Sequence, residues 1–122
     1  MERDFTYIDD IVKGVVQIAD IIPPANSNWK VEAGSPATSS APYAVYNIGH
    51  DSPINLMKFI EAIEAELGIE VKESFREMQA GDVYKTYADT QDLTTATDHK
   101  TKVGIKVGVS EFNGIRGFIL KY

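Results

Sequence analysis

The chain has 122 residues, 43% of them hydrophobic, and a formal net charge of −6, which is one domain's length with material for a modest core. The acidic balance excludes general affinity for nucleic acid, whose phosphates demand clustered Lys and Arg, although one or two local cations suffice to hold a nucleotide. With no cysteine there are no disulfides or thiolate metal sites, and two separate histidines do not make a zinc cluster. No apolar run reaches the ~18–20 residues of a membrane span, and the first residues are too polar for a secretory signal, so the chain reads as cytoplasmic.

In chain order, the stretch Arg3-Asp4-Phe5-Thr6-Tyr7-Ile8-Asp9-Asp10 is the one around which the rest is organised. Phe5 to Ile8, aromatic and β-branched, suit a short strand. Asp9 or Asp10 then offers a carboxylate to the unpaired N–H groups at the start of the next helix. Arg3 heads the strand with a planar fork of donors suited to a carboxylate or phosphate; the simpler role is a surface pair with Asp4 or Glu2. Ile11, Val12, Val15, Val16, Ala19 and Ile22 recur with helical period, which predicts an amphipathic helix over 10–22. Its stripe faces the core, with Lys13, Gln17 and Asp20 outward, and Pro23-Pro24 ends it.

Residues 25–42, rich in Asn, Ser, Ala, Pro and Gly, form a long loop in which the isolated Trp29 should dock somewhere. Tyr43 to Ile48 reads as a short buried strand closed by Gly49. Ser52-Pro53 reads as cap and first turn of a second helix, striped by Leu56, Phe59, Ile60, Ile63 and Leu67 and ended by Gly68. Glu61, Glu64 and Glu66 form its solvated face. Ile69 to Phe75 alternates like an edge strand, and Val83 to Tyr87 is a further extended segment. Asp89 caps a short helix through Ala96, 97–101 is a turn, and a last helix begins near Val107. Within that last helix Gly108, Gly114 and Gly117 each cost roughly 0.5–1 kcal/mol relative to alanine. The fold class is α/β, a small single unit over 1–122.

RDFTYIDDIVKGV, APYAVYNIG, SPINLMKFIEAIEAELG and MQAGDVYKTYAD, in that order, resemble the C-terminal, substrate-binding part of the extended short-chain dehydrogenase/reductase nucleotide-sugar epimerases. The branch they most resemble is the UDP-glucuronate 4-epimerases. The resemblance runs from about Arg3 to about Lys106 and implies that an N-terminal Rossmann domain belongs with this part. It implies a parent isomerase in which bound NAD oxidises the sugar at C4 and returns the hydride to the opposite face. Dehydratase and decarboxylase relatives share these motifs. The chain itself shows no glycine-rich pyrophosphate turn and no lysine four residues after any tyrosine. It is therefore expected to hold no NAD, to supply no catalytic residue and to be inactive alone.

The resemblance assigns Arg3 to the nucleotide diphosphate and Asp82, after Gly81, to the ribose hydroxyls, for which a carboxylate is a double acceptor. Asp82 also suits an Asx turn. Gln79 stands where the galactose epimerases carry an arginine, and Arg76 is a nearby cation that would compensate. Ala80 replaces the usual proline, and Asp98-His99-Lys100-Thr101 departs from the family's GYKP. A different role is a non-catalytic interaction module. Phe5, Tyr7, Ile8, Val45, Ile48 and part of the first helix would be left uncovered, so a homo-oligomer is expected.

Overall fold

The computed structural model describes residues 1–119. Its elements are β1 (Glu2–Arg3), α1 (Ile8–Ala19), β2 (Ile54–Asn55), α2 (Leu56–Leu67), α3 (Gln91–Thr97) and α4 (Ile105–Ile119). β1 and β2 pair antiparallel, Glu2 opposite Asn55 and Arg3 opposite Ile54. On the other edge of β1 the backbone around Lys85 runs parallel to Glu2: Glu2 N–H donates to the Tyr84 carbonyl (2.7 Å) and Thr86 N–H to the Glu2 carbonyl (3.2 Å). Both edges of β1 are thus taken. The strand predicted at Phe5–Ile8 is displaced to Glu2–Arg3, because the following residues are used for tertiary contacts. Phe5 stacks on Phe59 with ring centroids 4.3 Å apart, and Tyr7 occupies the N-cap position of α1. Packing overrides β propensity here.

Asp4 binds distant segments together. Its Oδ2 accepts the N–H groups of Asp51 (3.2 Å) and Ala88 (3.3 Å), and its Oδ1 that of Ser52 (3.4 Å). Gly49 lies against this carboxylate; a Cβ there would stand 2.8 Å from Asp4 Oδ2 and collide with Ala88. Asp10 acts similarly. It does not cap its own helix: it is buried in the first turn of α1, and its Oδ2 accepts the N–H groups of Lys102 (3.0 Å) and Val103 (2.9 Å), on the approach to α4. The N-cap of α1 makes no side-chain hydrogen bond, while the two aspartates still suit the positive helix end.

The second helix starts at Asn55, whose Oδ1 accepts Met57 N–H at 2.9 Å, and not at Ser52-Pro53, because Ile54 is committed to β2. It ends as expected at Gly68, at φ +66°, a conformation glycine adopts without strain. α2 packs on α4 and α1 on α3. Gly108 of α4 lies under Tyr7, where a Cβ would stand 3.3 Å from the ring, so this glycine permits close approach at its cost in propensity. The N-cap position of the third helix is Thr90, whose side chain makes no cap bond; Asp89, expected as the cap, stands one residue earlier and accepts Gln91 N–H at 3.1 Å.

The strands expected at 43–48 and 69–75 do not form. The first makes a single bridge, Thr38 to Ala44, and Tyr43 and Val45 are exposed rather than buried. The second is exposed and without a strand partner, held near α2 by Val71 N–H on Glu64 Oε1 (2.8 Å). A strand needs a neighbouring edge, and β1 has none to give. The 25–42 loop closes on itself through Asn26 N–H to the Ser39 carbonyl (3.1 Å). Trp29 docks inside it, over Gly34, with Nε1 donating to the Ser35 carbonyl at 3.0 Å.

The stripe of α1 also departs from expectation. Asp10 and Gly14 are buried, and Gln17 turns inward to His99 instead of facing solvent. Ile8, Val12, Val15 and Val16 are 58%, 51%, 51% and 60% exposed. At 3.6 residues per turn these two sets lie on opposite sides of the helix, so the apolar side points outward. The described apolar core is thin, with Leu93 fully buried and Ala62 9% exposed. Among the described residues no helix is long and apolar enough to cross a membrane.

Asp4→Ala is expected to destabilise the chain by about 1–3 kcal/mol, since it strands backbone donors, whereas Asp9→Ala should stay within about 0.5 kcal/mol; urea denaturation compares them. Burial first, then the charges of Asp9 and Glu111, raise the Tyr7 phenol above its ordinary 10.0. The folded state therefore holds this proton more tightly than the unfolded chain. That contribution to stability is fully present below pH 10.0 and is lost as pH rises through the folded value. Urea midpoints followed into alkali should fall less steeply for Tyr7→Phe.

Candidate functional site

Arg3 stands half-buried on β1, with Nη1 donating to the Glu2 carbonyl at 2.8 Å. The expected surface pair with Asp4 or Glu2 is replaced. Asp4 is engaged with backbone donors, and Glu2 meets Lys85 Nζ at 3.2 Å. The other N–H groups of the guanidinium make no hydrogen bond among the described residues, which leaves most of its fork for an anion.

Gln79 and Asp82 belong to one tight turn. Asp82 N–H donates to the Gln79 carbonyl (3.1 Å), and Gln79 N–H donates back to Asp82 Oδ2 (3.3 Å). Gly81 within it has φ +99°, which an L side chain would strain. Asp82 thus closes the turn backwards, onto the N–H three residues before it rather than two residues on as an Asx turn would, and this engages one carboxylate oxygen. The turn leads into the Tyr84–Thr86 backbone that flanks β1; because that backbone runs parallel to β1 with Lys85 opposite Glu2, the turn lies beyond the Glu2 end of the strand, and no hydrogen bond joins it to Arg3 among the described residues. Arg76 is placed differently. It lines a groove of about 440 Å³ against α2 with Met57, Ile60 and Phe75, a groove that Arg3, Gln79 and Asp82 do not line.

A second polar region escaped the sequence. His50, Asp51, Tyr87, Asp89, His99 and Lys100 line one cavity of about 380 Å³. His99 is 3% exposed, its Nδ1 2.8 Å from Gln17 Oε1. Its Nε2 and His50 Nδ1 are buried without a hydrogen-bond partner among the described residues. Asp51, through hydrogen bonding and charge, raises the Tyr87 phenol, with burial and the charges of Asp89 and Asp4 adding; the hydroxyl stays a proton donor at neutral pH. Among the described residues no group of three acidic, His or Cys side chains is arranged for a metal ion. The local signal was Gly49-His50-Asp51, a short polar run after an apolar one, but nothing local links it to Tyr87 or His99.

Gly104 precedes the α4 N-terminus, and the N–H groups just before it already serve Asp10, so this turn offers no open cradle of backbone donors to a pyrophosphate.

No family model matches the chain. An uncharacterized 37.6 kDa protein of Escherichia coli O111:H- is 48% identical over 119 residues, 97% of this chain and 36% of that protein. A probable UDP-glucuronate 4-epimerase of Rhizobium meliloti is 37% identical over 114 residues, 92% of this chain and 33% of its own length. Among solved structures, the UDP-glucuronic acid 4-epimerase of Bacillus cereus, in complex with NAD and a fluorinated UDP-glucuronic acid, superposes with a TM-score of 0.69 at 22% identity. The match covers 94% of this chain and 32% of that one, and at this identity it speaks for the fold alone. The chain spans about a third of the length of the curated relatives it matches. It is a homologue of one part of the extended short-chain dehydrogenase/reductase nucleotide-sugar epimerases, with UDP-glucuronate 4-epimerases among its relatives.

Proposed function

We propose that this chain is the UDP-sugar-binding part of an NAD-dependent nucleotide-sugar 4-epimerase that interconverts UDP-glucuronate and UDP-galacturonate. In this role Arg3 holds the diphosphate and Asp82 the ribose hydroxyls, beside the neutral hydrogen bonds of Gln79. The observation that carries it is the kinship with a probable UDP-glucuronate 4-epimerase over 92% of the chain. The largely unengaged guanidinium of the half-buried Arg3 supports it. Arg76, set apart against α2, takes no part. NAD and the proton-transferring groups belong to the remainder of the longer enzyme, so this chain's task is to grip the nucleotide while the sugar is turned. A second role, a self-associating module without catalysis, is favoured by the outward apolar side of α1.

Isothermal titration separates the two. UDP should bind the chain weakly, around millimolar, because half of a two-body cleft is absent. Arg3→Ala should weaken UDP at least fivefold and uridine hardly at all, since only the diphosphate meets the guanidinium; equal losses would remove Arg3 from the site. Mixed with NAD and UDP-glucuronate, the purified chain should form no UDP-galacturonate above background, and sustained turnover would place the chemistry here after all.

A further inference from the structure

We infer that Thr86 is a positioning residue: its hydroxyl fixes the register between the strand that carries Arg3 and the segment that carries Asp82, and so sets the spacing at which one nucleoside diphosphate can meet both. The inference deepens the proposed function and takes from it the ligand and the two contacts. The segment after the 79–82 turn lies along β1 through one regular pair of backbone bonds, Glu2 N–H to the Tyr84 carbonyl (2.7 Å) and Thr86 N–H to the Glu2 carbonyl (3.2 Å). A parallel ladder would continue with Asp4 N–H on the Thr86 carbonyl. Asp4 N–H instead donates to Thr86 Oγ1 at 3.2 Å, in a part-buried position, and Ala88 N–H returns to Asp4 Oδ2 at 3.3 Å. The hydroxyl thus stands in for the ladder where the ladder stops. The remaining tie, Lys85 Nζ on Glu2 Oε2 at 3.2 Å, joins two exposed side chains and is too well screened to hold a register.

Register matters because the two contacts are far apart. Lys85 lies opposite Glu2, Asp82 is three residues before Lys85 and Arg3 one residue after Glu2, so they stand up to roughly 13 Å apart along the strand. No hydrogen bond joins them among the described residues. A ligand held by its ribose at one point and by its diphosphate at the other is bivalent. Its affinity exceeds that of its halves only while the spacing of the two points matches its length. Each residue of slip would move Asp82 by ~3.3 Å against Arg3, more than a hydrogen bond tolerates. Loss of the Thr86 hydroxyl leaves Asp4 N–H without its acceptor and lets this spacing fluctuate, while each half of the ligand still finds its own contact.

Titrations of the full chain with UDP, uridine and inorganic pyrophosphate, followed by amide chemical shifts, read this out. Thr86→Val keeps the shape and the β-branch; it should weaken UDP about fivefold and leave uridine and pyrophosphate within about a factor of two. Thr86→Ser should restore UDP. Thr97→Val is the matched control, because Thr97 Oγ1 likewise accepts a backbone N–H, that of His99, at 3.1 Å, on a helix that carries none of the nucleotide contacts. It should leave all three ligands unchanged. UDP unchanged in Thr86→Val while Arg3→Ala still weakens it would overturn the positioning role and spare the nucleotide reading. Equal losses for all three ligands, or an equal loss from Thr97→Val, would also overturn it, as a general loosening of the fold. UDP indifferent to Arg3→Ala would remove the nucleotide reading, and the role of Thr86 with it. Hydrogen exchange on the unaltered chain is a second measurement that needs no variant to fold. Saturating UDP should slow the exchange of Asp4 N–H, because a register that tightens UDP is tightened by UDP in return; unchanged exchange would overturn the proposal.

Discussion

The Asp4 carboxylate gathers backbone N–H groups from positions 47, 48 and 84 residues downstream, and the fold depends on that gathering. The chain's regular sheet is two residues wide per strand, too small to organise 119 described residues by ladder bonds alone. What replaces a larger sheet is a single extended stretch whose side chains each reach a different element. Glu2 and Arg3 pair on both flanks, Asp4 holds the 49–52 and 86–88 segments, and Phe5 stacks on α2. Tyr7 seats on Gly108 of α4, and Asp10 ties the approach to α4. Charged-acceptor hydrogen bonds are worth more than neutral ones, so two carboxylates can do what a thin apolar core does not.

Much of this was legible because the signals are local. The helix around residues 10–19, the Gly68 terminus, the Asp89 bond to the start of α3 and the organising weight of residues 3–10 each follow from side chains within a few positions of the effect they cause. Where the sequence misled, the cause was a distant partner. Phe5 and Tyr7 have strand chemistry but meet Phe59 and Gly108. Ser52-Pro53 has cap chemistry, but Ile54 pairs with Arg3 and delays the helix to Asn55. Tyr43–Ile48 reads as a buried strand and Ile69–Phe75 alternates like an edge strand, and neither forms one. The site divides in the same way: Gln79, Gly81 and Asp82 form a turn that three neighbouring residues explain, while the gathering of His50, Tyr87 and His99 around one cavity is a property of the assembled chain.

The direction of the α1 stripe is a different kind of miss. Periodicity reports that one side of a helix is apolar; it does not report which neighbour covers that side. Gly14 settles the matter, because it lets His99 approach to where a Cβ would be 3.2 Å from Nε2, and Gln17 on the same side completes the histidine's hydrogen bond. The small-and-polar side is thus the one shaped for this chain's own interior, and the valines are shaped for something else. A pattern of Asp10, Gly14 and Gln17 at helical spacing was visible beforehand, hidden only by the assumption that apolar means inward.

The setting of Arg3 bears on how a nucleotide-sized ligand would be held. An anion bound by Arg3 at a half-buried strand edge is screened by water on its open side, and a single guanidinium there gains little. The same contact strengthens once a second body excludes that water and lowers the local dielectric. A weak grip by the chain alone is what this open strand edge would give.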